Sequence, residues 1–277
     1  MVEIKIELGK KRFRFDLPQS WDEVPEHLYP FLARIYLRDS RFMNENDKLV
    51  RTLAILMDGG IGALDLLNDY QILDLTRNIH WVYEKLDLTE NKIFSFTLNE
   101  IDYLGPSSDL SNMRFGEFIM TETYFMQYTE SGLENPIFLD KLISVLYRPH
   151  GIGPEYDPGD PGYRGDCRQK FNSNLIDGRA AIIEGLDLAI KDGIYLFYAV
   201  ARDLLFSYYP NVFSKRRSSS KQQKSGQINF GWIGVFDDML GEKGRTAESL
   251  EDEFLSTALM SLERNQIKIK EINNKKR

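Results

Sequence analysis

Hydrophobic residues alternate with polar ones at the start of the chain: Val2, Ile4, Ile6 and Leu8, then Phe13, Phe15 and Leu17. A period of two puts each set on one face of a strand, and Gly9-Lys10-Lys11 between them predicts a hairpin turn. Such a hairpin is marginal alone and needs helices or further strands over its apolar face. From Ser20 the spacing becomes helical. Ser20-Trp21-Asp22-Glu23 fits a capping box and Pro25 a first helical position. Leu28, Phe31, Leu32, Ile35 and Tyr36 share one face, with Pro30 set to kink that helix or move its start. Further helices are predicted over about 46–57 and 69–86, separated by Gly59-Gly60-Ile61-Gly62.

A second β element follows. Ile93, Phe94, Phe96 and Leu98 predict a strand, Asn99-Glu100 a tight turn, and Ile101, Tyr103 and Leu104 the return, which could join the first hairpin in one sheet. From 112 the period is helical again, with Phe115, Phe118, Ile119, Glu122, Phe125 and Tyr128 on one face. A helix over 137–147 stops at Pro149. It opens into a loop of about twenty residues with five glycines and four prolines, a length that is uncommon in a compact chain and often functional. Helices over 175–190 and 194–209 come next, with Asp192-Gly193 between them as a hairpin signal, and a last helix is capped by Thr246. The predicted fold class is α+β, mainly α-helical, with a small antiparallel β element from residues 2–17 and 93–104. The predicted organisation is a main domain over 1–213, a flexible basic linker over 214–227, and a small docking or helical segment over 228–277.

Charge adds one asymmetry. The net charge is −7, yet residues 214–227 hold Lys215, Arg216, Arg217, Lys221 and Lys224 with no acid, and residues 264–277 carry six cations against Glu271. Without these two segments the body stands at −17. An acidic body repels nucleic acid, while the two basic segments, the cations of 214–227 and the tail over 264–277, are the candidates for touching it. The plain alternative is a solvated linker and tail. A single cysteine, Cys167, excludes an internal disulfide framework. The first residues lack the charged and apolar regions of a secretory leader, and no apolar run of about 18 residues predicts a membrane span.

Chemistry is sparse in the sequence. His27, His80 and His150 stand far apart, and no Cys/His metal spacing, phosphate-cradling Gly motif or nucleophile elbow occurs. The loop acids Glu155, Asp157, Asp160 and Asp166 do not follow the EF-hand spacing, and Asp-Pro-Gly turn chemistry accounts for the same letters. The expectation is a non-enzymatic protein with no cofactor. Tyr147, Arg148, Arg164 and Arg168 around the loop, and Phe230, Trp232 and Phe236 beyond the linker, are the candidate partner-binding residues. The loop arginines read either as ion pairs that pin the loop or as a charged contact surface. The 228–236 segment reads either as part of the chain's own core or as a tethered docking peptide.

Several stretches carry a resemblance. They are Leu17-Pro18-Gln19-Ser20-Trp21-Asp22-Glu23 after the hairpin, Phe115-Gly116-Glu117-Phe118 with Tyr124 and Tyr128, the run from Leu139 to Pro149, and Arg168 to Phe171. Over residues 1–213 the chain resembles uncharacterised proteins of tailed phages and prophages of Bacteroides-type bacteria, members of a tail or head–tail module. Such proteins also carry a segment after a Gly/Ser/Lys-rich linker with a Trp near its start, as Trp232 stands here. The resemblance implies a virion connector, ring component or tail-assembly chaperone. Its partners would be other phage structural or tail proteins, or further copies of itself, and no membrane. Its place would be the host cytoplasm during assembly, or the virion.

Overall fold

The computed structural model describes residues 1–8, 11–58, 61–213, 231–240 and 246–275. Helix takes up 59% and strand 10%, with two small antiparallel sheets, so the fold is α+β and mainly helical as the periodicities predict. By its contacts the chain forms two compact units, residues 1–93 with 186–200 and residues 94–185 with 201–277. The sequence places its boundary near 213 instead. The candidate linker cations Lys215, Arg216, Arg217, Lys221 and Lys224, and Phe230, lie outside the described residues.

In the first unit, β1 (Val2–Leu8) pairs antiparallel with β2 (Lys11–Leu17) in the register Val2 to Leu17 and Ile6 to Phe13. Leu17 and Ile6 are buried on the predicted face. Ser20 accepts a hydrogen bond from Glu23 N at 3.3 Å, but it caps only a 3-10 turn, Trp21–Glu23. The helix α1 (Tyr29–Leu37) carries Pro30 as its second residue, in its first turn. A proline has no N–H to donate and is tolerated where none is needed. Helices α2 (Glu45–Leu56), α3 (Ile61–Leu64), α4 (Asp69–Thr76) and α5 (Trp81–Glu84) follow. The stretch predicted as one helix over 69–86 is thus two, divided by a 3-10 turn at Arg77–Ile79.

The core of this unit is aromatic. Trp21 is fully buried and meets Tyr36, Trp81 and Tyr29 edge-on at ring distances of 5.4, 6.1 and 6.3 Å. Residues 188–200 of α9 (Leu188–Tyr208) complete it. Here the sequence reading is corrected: Asp192-Gly193 is not a turn but lies inside a helix, in its second turn. Gly193 serves close approach. A Cβ there would lie 2.6 Å from Ile93 Cδ1 and 3.0 Å from Tyr29 Cε1, and Tyr29 Oη donates to Gly193 O at 2.8 Å. Asp192 is buried and accepts from Arg38 Nε at 2.7 Å. The break between helices falls earlier, where Asp187 Oδ1 accepts from Ala189 N at 2.7 Å.

In the second unit, β3 (Ser95–Leu98) and β4 (Ile101–Leu104) form the predicted hairpin, with positive φ of 51° and 63° at Asn99 and Glu100. They do not join the N-terminal hairpin. Their third strand is β5 (Arg148–Pro149), which pairs with β4. Helices α6 (Phe115–Glu130), α7 (Pro136–Leu146) and α8 (Ile176–Ile183) pack in sequence, α6 on α7 and α7 on α8. The predicted face of α6 is buried throughout. The final segment forms α10 (Gly231–Leu240), α11 (Ala247–Glu251) and α12 (Leu255–Lys275). The part of the apolar 228–236 stretch from Gly231 onward is therefore helical, and residues 228–230 lie outside the described residues. Thr246 caps the short α11, and the Lys-rich end stays helical to Lys275.

Candidate functional site

The long loop is held by its stem and by a buried quartet of charges. The stem is a short antiparallel ladder: Gln169 N donates to Pro149 O at 2.8 Å and Gly151 N to Cys167 O at 2.9 Å, with a bridge between His150 and Arg168. Further out, Asp157 Oδ1 accepts from Gly159 N at 2.9 Å and Asp160 Oδ1 from Gly162 N at 2.7 Å, the local turns that Asp-Pro-Gly favours.

The quartet is Glu117, Arg148, Asp166 and Arg168, between 0% and 7% exposed. Arg168 grips Asp166 with Nε and Nη2, both at 2.9 Å, and donates from Nη1 to Glu117 Oε1 at 2.8 Å and to Leu146 O at 2.6 Å. Arg148 donates from Nη1 to Val145 O at 2.8 Å and from Nε to Gln169 O at 2.8 Å. Its Nη2 reaches Glu117 Oε2 and Asp166 Oδ2, both at 3.2 Å. Two cations face two anions, so the cluster is neutral. Burial pulls the Arg148 ionisation down and Arg168 beside it adds repulsion, while Glu117 and Asp166 oppose both. The Arg168 ionisation is pushed up: burial works against it, but the two carboxylates outweigh that.

For Arg148 and Arg168 this placement favours pinning over a contact surface. Arg148 and Arg168 pin the loop from inside and offer no surface to a partner. Tyr147 is buried too, stacked on Phe96 at 5.3 Å and so close to Gly105 that a Cβ there would lie 2.6 Å from its ring. Phe171, at the other loop end, is half-buried. Arg164 is exposed, and its carbonyl accepts from Arg114 Nη2 at 2.8 Å. Trp232 is also interior, 6% exposed and set edge-on against Phe118 at 4.9 Å. It packs in its own chain and is not a free docking anchor. The Phe236 side chain lies outside the described residues.

Two surface features were not legible in the sequence. In the second unit a cleft of about 500 Å³ is lined by Arg114, Lys170, Phe171, Arg179, Glu248 and Glu251 with their neighbours. In the first unit an apolar groove of about 420 Å³ runs along α2 and α4, lined by Leu49, Val50, Ile72 and Leu73 with Asp69 at its edge. Leu73 in this lining is 51% exposed. The far end of α12 exposes Ile267, Ile269 and Ile272 among Lys268 and Lys270. Among the described residues no three His, Cys, Asp or Glu side chains converge as metal ligands, and no helix is long and apolar enough to cross a membrane.

No family model, no curated protein and no solved structure matches this chain.

Proposed function

We propose that the protein is a non-enzymatic structural or assembly component of a tailed-phage particle, a connector or tail-assembly chaperone that works by docking on other proteins. The observation that carries this reading is the exposed apolar surface of the first unit. The groove lined by residues of α2 and α4, with Leu73 half exposed in it, offers apolar positions of the kind an amphipathic helix docks against. Apolar groups gathered this way on a surface mark interaction sites more often than isolated ones do. The exposed isoleucines of α12 extend the same character to the second unit. The partners are other phage structural or tail proteins and further copies of the chain, met in the host cytoplasm during assembly.

Fractionation of purified particles tests the reading, together with co-expression against the tail proteins encoded beside it. The expected result is either presence in the particle or a stable complex with one such protein that Leu73→Asp weakens. Absence from both rejects it.

A second reading has one observation in its favour, the exposed Lys268 and Lys270 on α12. With Lys215, Arg216, Arg217, Lys221 and Lys224 they would form a nucleic-acid contact. Duplex binding that weakens steeply with salt would support it, and no binding at low salt would remove it. The isoleucines interleaved with these lysines favour the protein partner.

A further inference from the structure

Three arginines of the second unit are largely buried, and they differ in one respect. Arg148 and Arg168 each meet two carboxylates. Arg179, on α8 and 8% exposed, meets none among the described residues. Its hydrogen bond runs from Nη2 to Gln169 Oε1 at 3.0 Å. A guanidinium has five N–H donors, and a buried cation without a counterion costs several kcal/mol. Burial pulls the Arg179 ionisation below its ordinary value, and Arg148 nearby pulls it further. This side chain lines the 500 Å³ cleft, whose volume is that of a small-ligand site.

The rest of the lining narrows the ligand. Arg114 also lacks a carboxylate, but its donors go to Asp252 O and Arg164 O, and its guanidinium covers the Phe254 ring. Lys170 is taken by Asp252 at 3.3 Å. On α11, Glu248 and Glu251 are exposed and form no ion pair among the described residues. Among the described residues the cleft therefore holds two cations without a carboxylate partner, Arg179 and Arg114 with its donors turned to carbonyls, and two anions without a cation, Glu248 and Glu251. Polyanions such as nucleic acid would meet those two carboxylates and be repelled. Simple anions would leave the glutamates unused.

We propose that this cleft binds a zwitterionic ligand, an amino acid or a short peptide end. Its carboxylate would sit against Arg179 and its basic side chain would turn to Glu248 and Glu251. Phe171 and Leu175 offer apolar surface to the aliphatic stem between the two charges. A carboxylate can take the guanidinium fork with two parallel hydrogen bonds, and a lysine or arginine side chain carries the opposite charge on a long apolar stem. This inference stands apart from the assembly reading, since the cleft belongs to the second unit and needs no particle.

The test is calorimetric titration of the full chain with Gly-Gly-Arg as the free acid, its C-terminal amide, Gly-Gly-Leu and acetate. The free acid should bind, with the amide and Gly-Gly-Leu each weaker by about tenfold or more, the size of one charge-assisted contact. Arg179→Gln should cost a similar factor for the free acid. Glu248→Gln with Glu251→Gln should bring Gly-Gly-Arg down to the level of Gly-Gly-Leu. A second measurement guards against misfolding: Arg179→Met should leave the urea midpoint of the free protein unchanged or raised, because a cation without a counterion is removed. Equal binding of acid and amide, acetate binding as tightly as the peptide, or no binding at millimolar peptide would overturn the proposal. So would a strong loss of stability in Arg179→Met, which would make Arg179 a structural partner of its own chain.

Discussion

Replacing Arg168 by methionine removes one charge from a neutral buried quartet. The change leaves Glu117 and Asp166 to share Arg148 alone, a net negative charge at a site where Glu117 is 0% and Asp166 7% exposed. Breaking a buried ion pair from one side costs about 3–5 kcal/mol. The carbonyl of Leu146 also loses its donor at 2.6 Å, and an orphaned buried acceptor adds about 1–3 kcal/mol. These terms overlap, since the quartet relaxes as a unit, so the working figure is about 4 kcal/mol. Hydrogen exchange read segment by segment is the suitable assay, because the loss belongs to the second unit. Amides of α6 and α7 that exchange through its unfolding should exchange about a thousandfold faster, while β1 and β2 keep their rates. Adding Glu117→Gln to Arg168→Met restores neutrality and should recover about 1–2 kcal/mol, a coupling of the size seen within one charge network. A loss below about 1 kcal/mol, the range of exposed pairs, would show that water reaches the quartet and would refute this account.

Other positions make sharper local tests. Gly193→Ala should destabilise by about 1–3 kcal/mol by overpacking against Ile93 and Tyr29, even though alanine favours a helix interior by about 1 kcal/mol over glycine; a stability gain in urea unfolding would show that the contact yields. Glu100→Gly should stabilise by about 0.5–1 kcal/mol, because Glu100 holds a φ of 63° in an exposed turn that favours Asn-Gly; a loss in thermal midpoint would contradict this. Burial pushes the Asp192 carboxyl up from 3.8 to about 6, although Arg38 pulls it down. Its folded value lies above its unfolded one, so the native state holds the extra proton and stability falls as pH rises from about 4 through 6. The ceiling is about 3 kcal/mol at 1.36 kcal/mol per pKa unit. Urea unfolding of wild type and Asp192→Asn across that window checks the sign, and a wild-type advantage that grows with pH reverses it.

The legible parts of this fold were those where one local rule acts alone. Period-two alternation located β1 and β2, and the helical stripe from Phe115 to Tyr128 located α6 and its buried face. The Asn99-Glu100 turn was legible because strands flank it closely. What misled were residues with two uses. Asp192-Gly193 has turn composition, but tertiary contacts with Arg38, Tyr29 and Ile93 explain both letters inside a helix. Trp232 has the makings of an anchor, yet Phe115 and Phe118 of its own chain receive it. The quartet could be half read, since the arginines near loop acids suggested pinning. The missing member, Glu117, sits 31 residues before Arg148, and nothing in its local spacing marks it. Arg179 was missed for the same reason: a charge left without a counterion is a property of three-dimensional neighbours.

The quartet differs from buried pairs that apolar residues can replace without loss. Its charges also finish two helix ends. Glu117 lies in the first turn of α6, where its carboxylate accepts from Arg114 N at 3.4 Å and faces the positive end of the helix. Arg148 and Arg168 donate to Val145 O and Leu146 O, carbonyls that the end of α7 leaves without helical partners. Apolar burial could not do this work, since Ile152 is 91% exposed and the rest of the loop is Gly, Pro and polar residues with two tyrosines and Cys167. A matched apolar replacement of all four members should therefore not reach wild-type stability, because it orphans the two carbonyls of α7 and the Gln169 carbonyl that Arg148 Nε serves. The expected deficit is about 2 kcal/mol or more, given about 1–3 kcal/mol for each unsatisfied buried group and some rescue by water. The measurement is urea unfolding of Glu117→Met/Arg148→Met/Asp166→Leu/Arg168→Met beside wild type. A quadruple variant as stable as wild type would mean that the charges act as pairs alone and that the helix ends find their partners elsewhere.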